Sequence, residues 1–231
     1  MKKSFFKTVS VFLAVLMLSM AFVPVVSAQA DQQKITALEN EIADVMSRTE
    51  LLKDDAESKV VAAELDDGSV FYAVSWNDPE IDGRVNFALM TEADLISEGY
   101  LKSSGLSNFE IADAVTRASY SFWNGSYIST YGNSVTGGFN MYLSPVDAPF
   151  VFNNGATVAG ALGRLVFAAT GLGSTVAYAV GVLITVAIKA MYHFGKNPDG
   201  SIVIQVPYAS AIAYAAGLPG YIKVGSITYW F

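Results

Sequence analysis

The sequence predicts an α+β fold: an N-terminal amphipathic helix, short β-hairpins, and a Gly/Ala-rich apolar helical segment followed by C-terminal strands. Three observations carry this. Apolar residues keep a 3–4 spacing from Ile35 onward. Short β-branched and aromatic runs bounded by turn residues recur from Val70 to Leu143. Leu165 to Ile188 is 24 consecutive residues without a charge, too long for a strand and long enough to cross a bilayer as a helix. At 231 residues, with 52% hydrophobic and 15% charged residues, the chain is no disordered segment.

Met1 to Ala30 has the layout of a secretory signal peptide. Lys2, Lys3 and Lys7 form the charged n-region and Val9 to Val23 the apolar h-region, with small residues for cleavage after Ala28 or Ala30. The expected localisation is therefore secreted (extracellular). Zero Cys excludes a disulfide framework, thiol catalysis and Cys-based metal sites.

Charge divides the mature chain. From Asp31 to Asp147 there are 20 acidic and 7 basic residues; from Ala148 to Phe231 there are four basic residues (Arg164, Lys189, Lys196, Lys223) and one acid, Asp199. The expected organisation is thus a signal peptide (1–30), an acidic α+β region (31–147) and an apolar, weakly cationic region (148–231) with a helical segment at 155–194. Asymmetry of this kind points to membranes. A net charge of −7 is a poor match to nucleic acid.

In the acidic region, Ile35, Leu38, Ile42, Val45 and Leu52 form one stripe, capped by Asp31, which predicts about 33 residues of helix, roughly 50 Å. Asp66-Asp67-Gly68 turns the chain into a strand at Val70–Trp76, and Asn77 to Gly83 loops to a returning strand, Arg84–Met90. Thr91 with Asp94, and Ser107 with Glu110, are capping boxes for two short helices. From Tyr120 to Leu143 the chain turns aromatic, Gly-rich and β-like, and Pro145 and Pro149 mark the joint between the regions.

In the apolar region, Gly173, Ala177 and Gly181 recur every four residues, a small-xxx-small face for helix packing, and Gly155, Ala159 and Gly163 repeat it. Gly171-Leu172-Gly173-Ser174 allows a break into a helical hairpin. Three states remain open for the segment: a single-span anchor, a buried core helix, or a helix folded away in solution that inserts on contact with a bilayer. After the Asn197-Pro198-Asp199-Gly200 turn come a strand at Ser201–Val206, a helix at Ala209–Ala216 and a final strand, Tyr221–Phe231.

Catalytic and metal signatures are weak, and neither an enzyme nor a cofactor is expected. His193 is the lone histidine, and no Gly-x-Ser-x-Gly elbow accompanies it. Asp78 to Gly83 imitates the start of a calcium loop, but position twelve is Leu89 rather than Glu. The mature chain has neither a Ser-x-x-Lys motif nor a phosphate loop.

Tyr131-Gly132-Asn133-Ser134-Val135 resembles the Tyr-Gly-Asn-Gly-Val box of pediocin-like bacteriocins, departing at Ser134 and lacking the paired cysteines. The cysteine-free layout with a Gly/Ala-rich apolar half, carried by Gly155 to Ile188, resembles large unmodified secreted bacteriocins of the geobacillin type. That resemblance implies killing of related bacteria through membrane damage. The expected function is an antibacterial protein acting on membranes, with bacterial membrane lipid as partner, self-association, and an immunity protein. Arg164, Lys189, Lys196 and Lys223 are expected at headgroups, with Tyr229 and Trp230 as interface anchors. The alternative is a soluble secreted α+β binding or structural domain with the apolar segment as its core.

Overall fold

The computed structural model describes residues 25–54, 58–65, 67–91 and 123–231. The h-region, Tyr120 and Phe122, and the two helices expected after Thr91 and Ser107 lie outside the described residues. The fold is α+β: one nine-stranded antiparallel sheet with helices on its inner side. Helix α1 (Val25–Ser47) leads into β1 (Thr49–Asp54), β2 (Ser58–Glu64), β3 (Val70–Asn77), β4 (Arg84–Thr91), β5 (Tyr127–Tyr131) and β6 (Gly138–Leu143). Then come α2 (Asp147–Asn153), α3 (Gly155–Thr170), α4 (Ser174–Gly195), β7 (Ile202–Pro207), α5 (Tyr208–Ala215), β8 (Tyr221–Val224) and β9 (Ile227–Trp230).

The strands pair in chain order from β1 to β9. The turns follow local chemistry. The β3–β4 loop is held by Asp78, which accepts from the backbone of Glu80 and Ile81 and from the Asn86 amide at 2.9, 3.1 and 3.0 Å. Four oxygen-seeking donors thus occupy the carboxylate once the Arg84 guanidinium at 3.3 Å is counted, and the resemblance to a calcium loop reduces to a hairpin turn. Gly225, at φ +59°, reverses β8 into β9.

Three expectations are corrected. The first helix ends at Ser47, and the residues expected to prolong it form β1 and β2. Leu51 and Leu52 fit either period, but Val60 to Ala63 pair with Phe71 to Val74, and cross-strand burial outweighs helix propensity there. The final strand is a hairpin, β8–β9, because Gly225-Ser226 permits the turn. The charge boundary is not a domain boundary: β6, from the acidic region, pairs with β7, from the apolar one, from Gly138↔Pro207 to Leu143↔Ile202.

The 155–194 segment is a hairpin. Gly171, left-handed at φ +66°, ends α3 and its N–H caps the Phe167 carbonyl. The two helices touch through backbone. A Cβ built on Gly181 would collide with the Ala159 carbonyl oxygen and sit 2.7 Å from the Gly163 nitrogen; one on Gly163 would sit 2.8 Å from the Tyr178 Cα. Gly181, Ala177, Ala159 and Gly163 are therefore the packing face. Gly173 is not part of it: it lies in the loop before α4 with open space where a side chain would go, because the helix starts one residue after it.

The core lies between this hairpin and the inner face of the sheet. Val61, Ala73, Phe87, Ile128, Phe139, Met141, Ile204 and Ile222 meet Leu162, Leu165, Val180, Leu183, Ile184 and Ala187 there. Helix α1 closes the other side, packing Leu38, Ile42 and Val45 on Tyr178, Ala179 and Val182. Strands β2 to β4 are buried on both faces, the second by Val60, Tyr72, Val74, Trp76, Ala88 and Met90, whereas β6 and β7 alternate.

Gly181→Leu forces a side chain into backbone and is expected to cost about 3 kcal/mol or more, lowering Tm by about 6–12 °C for a domain of this size. Gly173→Leu is expected to shift Tm by less than about 2 °C. Calorimetry on the two variants checks the assignment of the packing face.

Candidate functional site

Helix α4 is mostly apolar, with Lys189 and His193 toward its C-terminal end, and tertiary packing leaves one stripe of it in water. Val186, Lys189, Ala190, His193 and Phe194 are exposed, at the i, i+3, i+4, i+7, i+8 positions of a single helical face. Phe194 stands 76% exposed at the end of the stripe. The methylenes of Lys189 lie over Gly155, the closest 2.6 Å from where that residue's Cβ would be. The Lys196 Nζ lies 5.3 Å from the Tyr192 ring centroid. Tyr192 and His193 join Phe152 of α2 in an aromatic cluster with centroids 4.6 to 5.4 Å apart. From Gly155 to Gly195 the chain has no Asp or Glu, so the face is apolar and cationic with no acid on its own helices. At the other end of the hairpin, Gly171, Gly173, Ser174 and Thr175 are exposed and Phe167 is 42% exposed.

The residues expected at a membrane divide. Lys189 and Lys196 flank Phe194. Lys223 and Trp230 are exposed but point to the outward side of the sheet, away from the helices; Trp230 leans on Tyr221 at 5.2 Å. Arg164 is half-buried with its guanidinium 5.4 Å from the Tyr178 ring, and Tyr229 points inward and packs on the core. These last two are therefore not surface anchors: α1 and β1 approach the Arg164 side of α3, and strand alternation turns Tyr229 opposite to Trp230. Lys189 and His193, four residues apart, mark the stripe the sheet leaves uncovered, but Phe194 and Val186 were missed because each is as apolar as the buried residues of α4.

The outward side of β4–β9 forms a second surface. Arg84 stacks on Tyr127 at 3.8 Å, and Tyr127 stacks on Tyr142 across the β5–β6 pair at 5.1 Å. Ser129, Asn140, Gln205, Lys223 and Thr228 follow one another across β5 to β9 in register. Tyrosine, arginine and amides with few free charges are the composition of recognition surfaces.

A buried carboxylate holds the joint between sheet and helices. Asp147, 1% exposed, accepts from Asn124 Nδ2 at 3.1 Å, Ser126 Oγ at 2.5 Å and Ser144 Oγ at 3.1 Å. Its own N–H donates to Ser144 Oγ at 3.1 Å. Burial pushes the carboxyl above its ordinary value of 3.8, against hydrogen bonds that favour the charged form. This network ties the start of β5, the end of β6 and α2 together, and serves structure. A recess of about 200 Å³ where α1 meets β1 and β2 includes Arg48, Glu50 and Glu64; Arg48 is held there by Asp44 and by Thr157. No group of three His, Asp or Glu side chains arranged to hold a metal occurs among the described residues.

Comparison with protein-family models, curated proteins and solved structures returned no match.

Asp147→Ala strands two serine hydroxyls and an amide, and is expected to cost about 3 kcal/mol, or about 6–12 °C in Tm. Asp147→Asn keeps the network if Asn124 turns its amide, and should stay within about 3 °C. The raised folded-state pKa means this carboxyl adds stability when protonated and loses that contribution as pH rises through the raised value. Thermal melts across the range just above 3.8 should therefore show part of the wild type's pH dependence removed in Asp147→Asn.

Proposed function

We propose that the protein is exported and acts on anionic bacterial membranes, docking as a folded domain through the exposed stripe of α4. The observation that carries this reading is the stripe itself. Val186, Ala190 and Phe194 alternate with Lys189 and His193, Lys196 follows, and the acids of a chain with net charge −7 lie on other elements. Phe194 would enter the interface between headgroups and acyl chains while the two lysines meet lipid phosphates, each worth about 1 kcal/mol near an anionic surface. An antibacterial action by membrane perturbation is the biological consequence proposed.

Docking does not require the hairpin to leave the fold. Helix α4 is long and apolar enough to span a bilayer, but 13 of its 22 residues are buried in the protein. Withdrawing it would expose to water the core it shares with α3 and the inner faces of β7 to β9, a loss that lipid contact along the helix does not offset. Peripheral binding uses only surface that is already exposed.

The alternative, a soluble binding domain, draws support from the outward side of β4–β9, where Arg84, Tyr127, Tyr142, Asn140 and Gln205 supply the chemistry of a macromolecular contact.

The deciding experiment is co-sedimentation with vesicles of phosphatidylglycerol and phosphatidylcholine, beside vesicles of phosphatidylcholine alone, with dye release read in parallel. Salt-sensitive binding to the anionic vesicles is expected, weakened about tenfold by Phe194→Ser and about fivefold by each of Lys189→Gln and Lys196→Gln. Binding unaffected by all three, or no binding by folded protein, removes this reading and leaves the sheet-face one.

A further inference from the structure

The chain contains two Asn-Gly pairs, Asn124-Gly125 and Asn154-Gly155. An asparagine followed by glycine can close on itself, the glycine's backbone nitrogen attacking the side-chain carbonyl carbon, because no Cβ hinders the approach. Closure needs both groups free to turn, and the fold treats the two pairs differently. At Asn154, the junction of α2 and α3, every polar group is held. Its N–H and its Nδ2 donate to the Phe150 carbonyl at 3.0 and 3.1 Å, and its own carbonyl accepts from the N–H groups of Thr157 and Val158 at 3.0 and 3.1 Å. Gly155 is buried beneath the Lys189 methylenes. Asn124, by contrast, is exposed. Gly125 sits at φ +94° with nothing within 4 Å of where a Cβ would be. Among the described residues no backbone hydrogen bond holds the peptide between them. Only the Asn124 side chain is engaged, its Nδ2 donating to Asp147 Oδ1 at 3.1 Å.

We infer that Asn124 is a site of spontaneous deamidation, and that its conversion loosens the joint between the sheet and α2. The Gly125 nitrogen forms a bond to Asn124 Cγ and gives up its proton, the side-chain nitrogen leaves as ammonia, and a five-membered succinimide remains. Water opens that ring at either carbonyl, giving aspartate or isoaspartate. One water is consumed and one ammonia released, with nothing oxidised or reduced. The consequence follows from what Asn124 touches. Asp147 is buried and takes one of its three side-chain hydrogen bonds from that amide. After the reaction the donor is gone and a second carboxylate stands in its place, so like charges meet unless position 124 turns into water. Isoaspartate also adds a main-chain carbon just before β5. Ser126, in that stretch, accepts from the Phe87 N–H at 3.0 Å and donates to Asp147.

This inference does not depend on the membrane reading. Its test is storage of the folded full chain in mildly alkaline buffer, with peptide mass mapping over time and a urea-unfolded sample beside it. In the unfolded chain both asparagines are expected to react at similar rates. In the folded chain Asn124 should react at least about tenfold faster than Asn154, which must first open its helical hydrogen bonds. Stored protein is expected to melt about 3–6 °C lower than fresh protein, as Asn124→Asp should from the outset. Asp147→Asn returns a donor opposite the new carboxylate, so combining it with Asn124→Asp should recover most of the loss. Should Asn124→Asp fail to fold, the stored wild type and stored Asp147→Asn give the same comparison. Folded protein in which Asn124 survives as long as Asn154 overturns the inference. So does stored or Asn124→Asp protein that melts like fresh wild type, or a loss that Asp147→Asn leaves in place.

Discussion

The contact between α3 and α4 is the constraint on which the rest of the molecule depends. Ala159 and Gly163 on one helix and Ala177 and Gly181 on the other bring the two backbones together with almost no side chain between them. Only a hairpin this thin lets both helices reach the inner face of the sheet at once, so that Leu162 and Leu165 from one and Val180, Leu183 and Ile184 from the other share a single core. The excursion from β6 to β7 leaves the sheet and returns to the neighbouring position. The hairpin therefore covers the sheet without interrupting it, and Asp147 fixes the point of departure with three side-chain donors.

That packing also governs what the apolar half can do. A 24-residue uncharged run invites a spanning role, but a helix with sheet on one side, α3 on another and α1 on a third has little surface left for lipid. What remains is the stripe from Val186 to Phe194, whose cations and aromatic ring suit the boundary of a membrane rather than its interior. The cationic balance of residues 148–231 is thereby given a location: Lys189 and Lys196 serve one surface, Lys223 another, and Arg164 is turned toward Tyr178. Acidic and basic regions that look like separate domains in sequence are two parts of one sheet.

Much of the fold was legible. Strands β3, β4 and β7 and helix α5 appear within about a residue or two of where turn residues and periodicity put them, because glycine, proline and aspartate at their ends admit few backbone conformations. The small-residue repeats were legible as a packing face, with Gly173 wrongly included, since a four-residue spacing is blind to where a helix begins. The β1–β2 hairpin was not legible: Leu51 and Leu52 also continue the stripe of α1, and only pairing with β3 distinguishes a strand from another helical turn. Nor was the boundary within Tyr221 to Phe231, where one glycine in a β-like run signals either a bulge or a turn.

By itself the sequence determined the class of fold, the Gly/Ala-rich apolar helical segment, the charge asymmetry and the absence of cysteine chemistry, because these rest on local periodicity and composition. Tertiary structure alone decided that the two regions share one sheet, that Val186 and Phe194 of α4 meet water, and that Tyr229 and Trp230, adjacent in the chain, serve opposite sides. Those outcomes depend on which surfaces are covered by residues far away in sequence, and no local pattern carries that information.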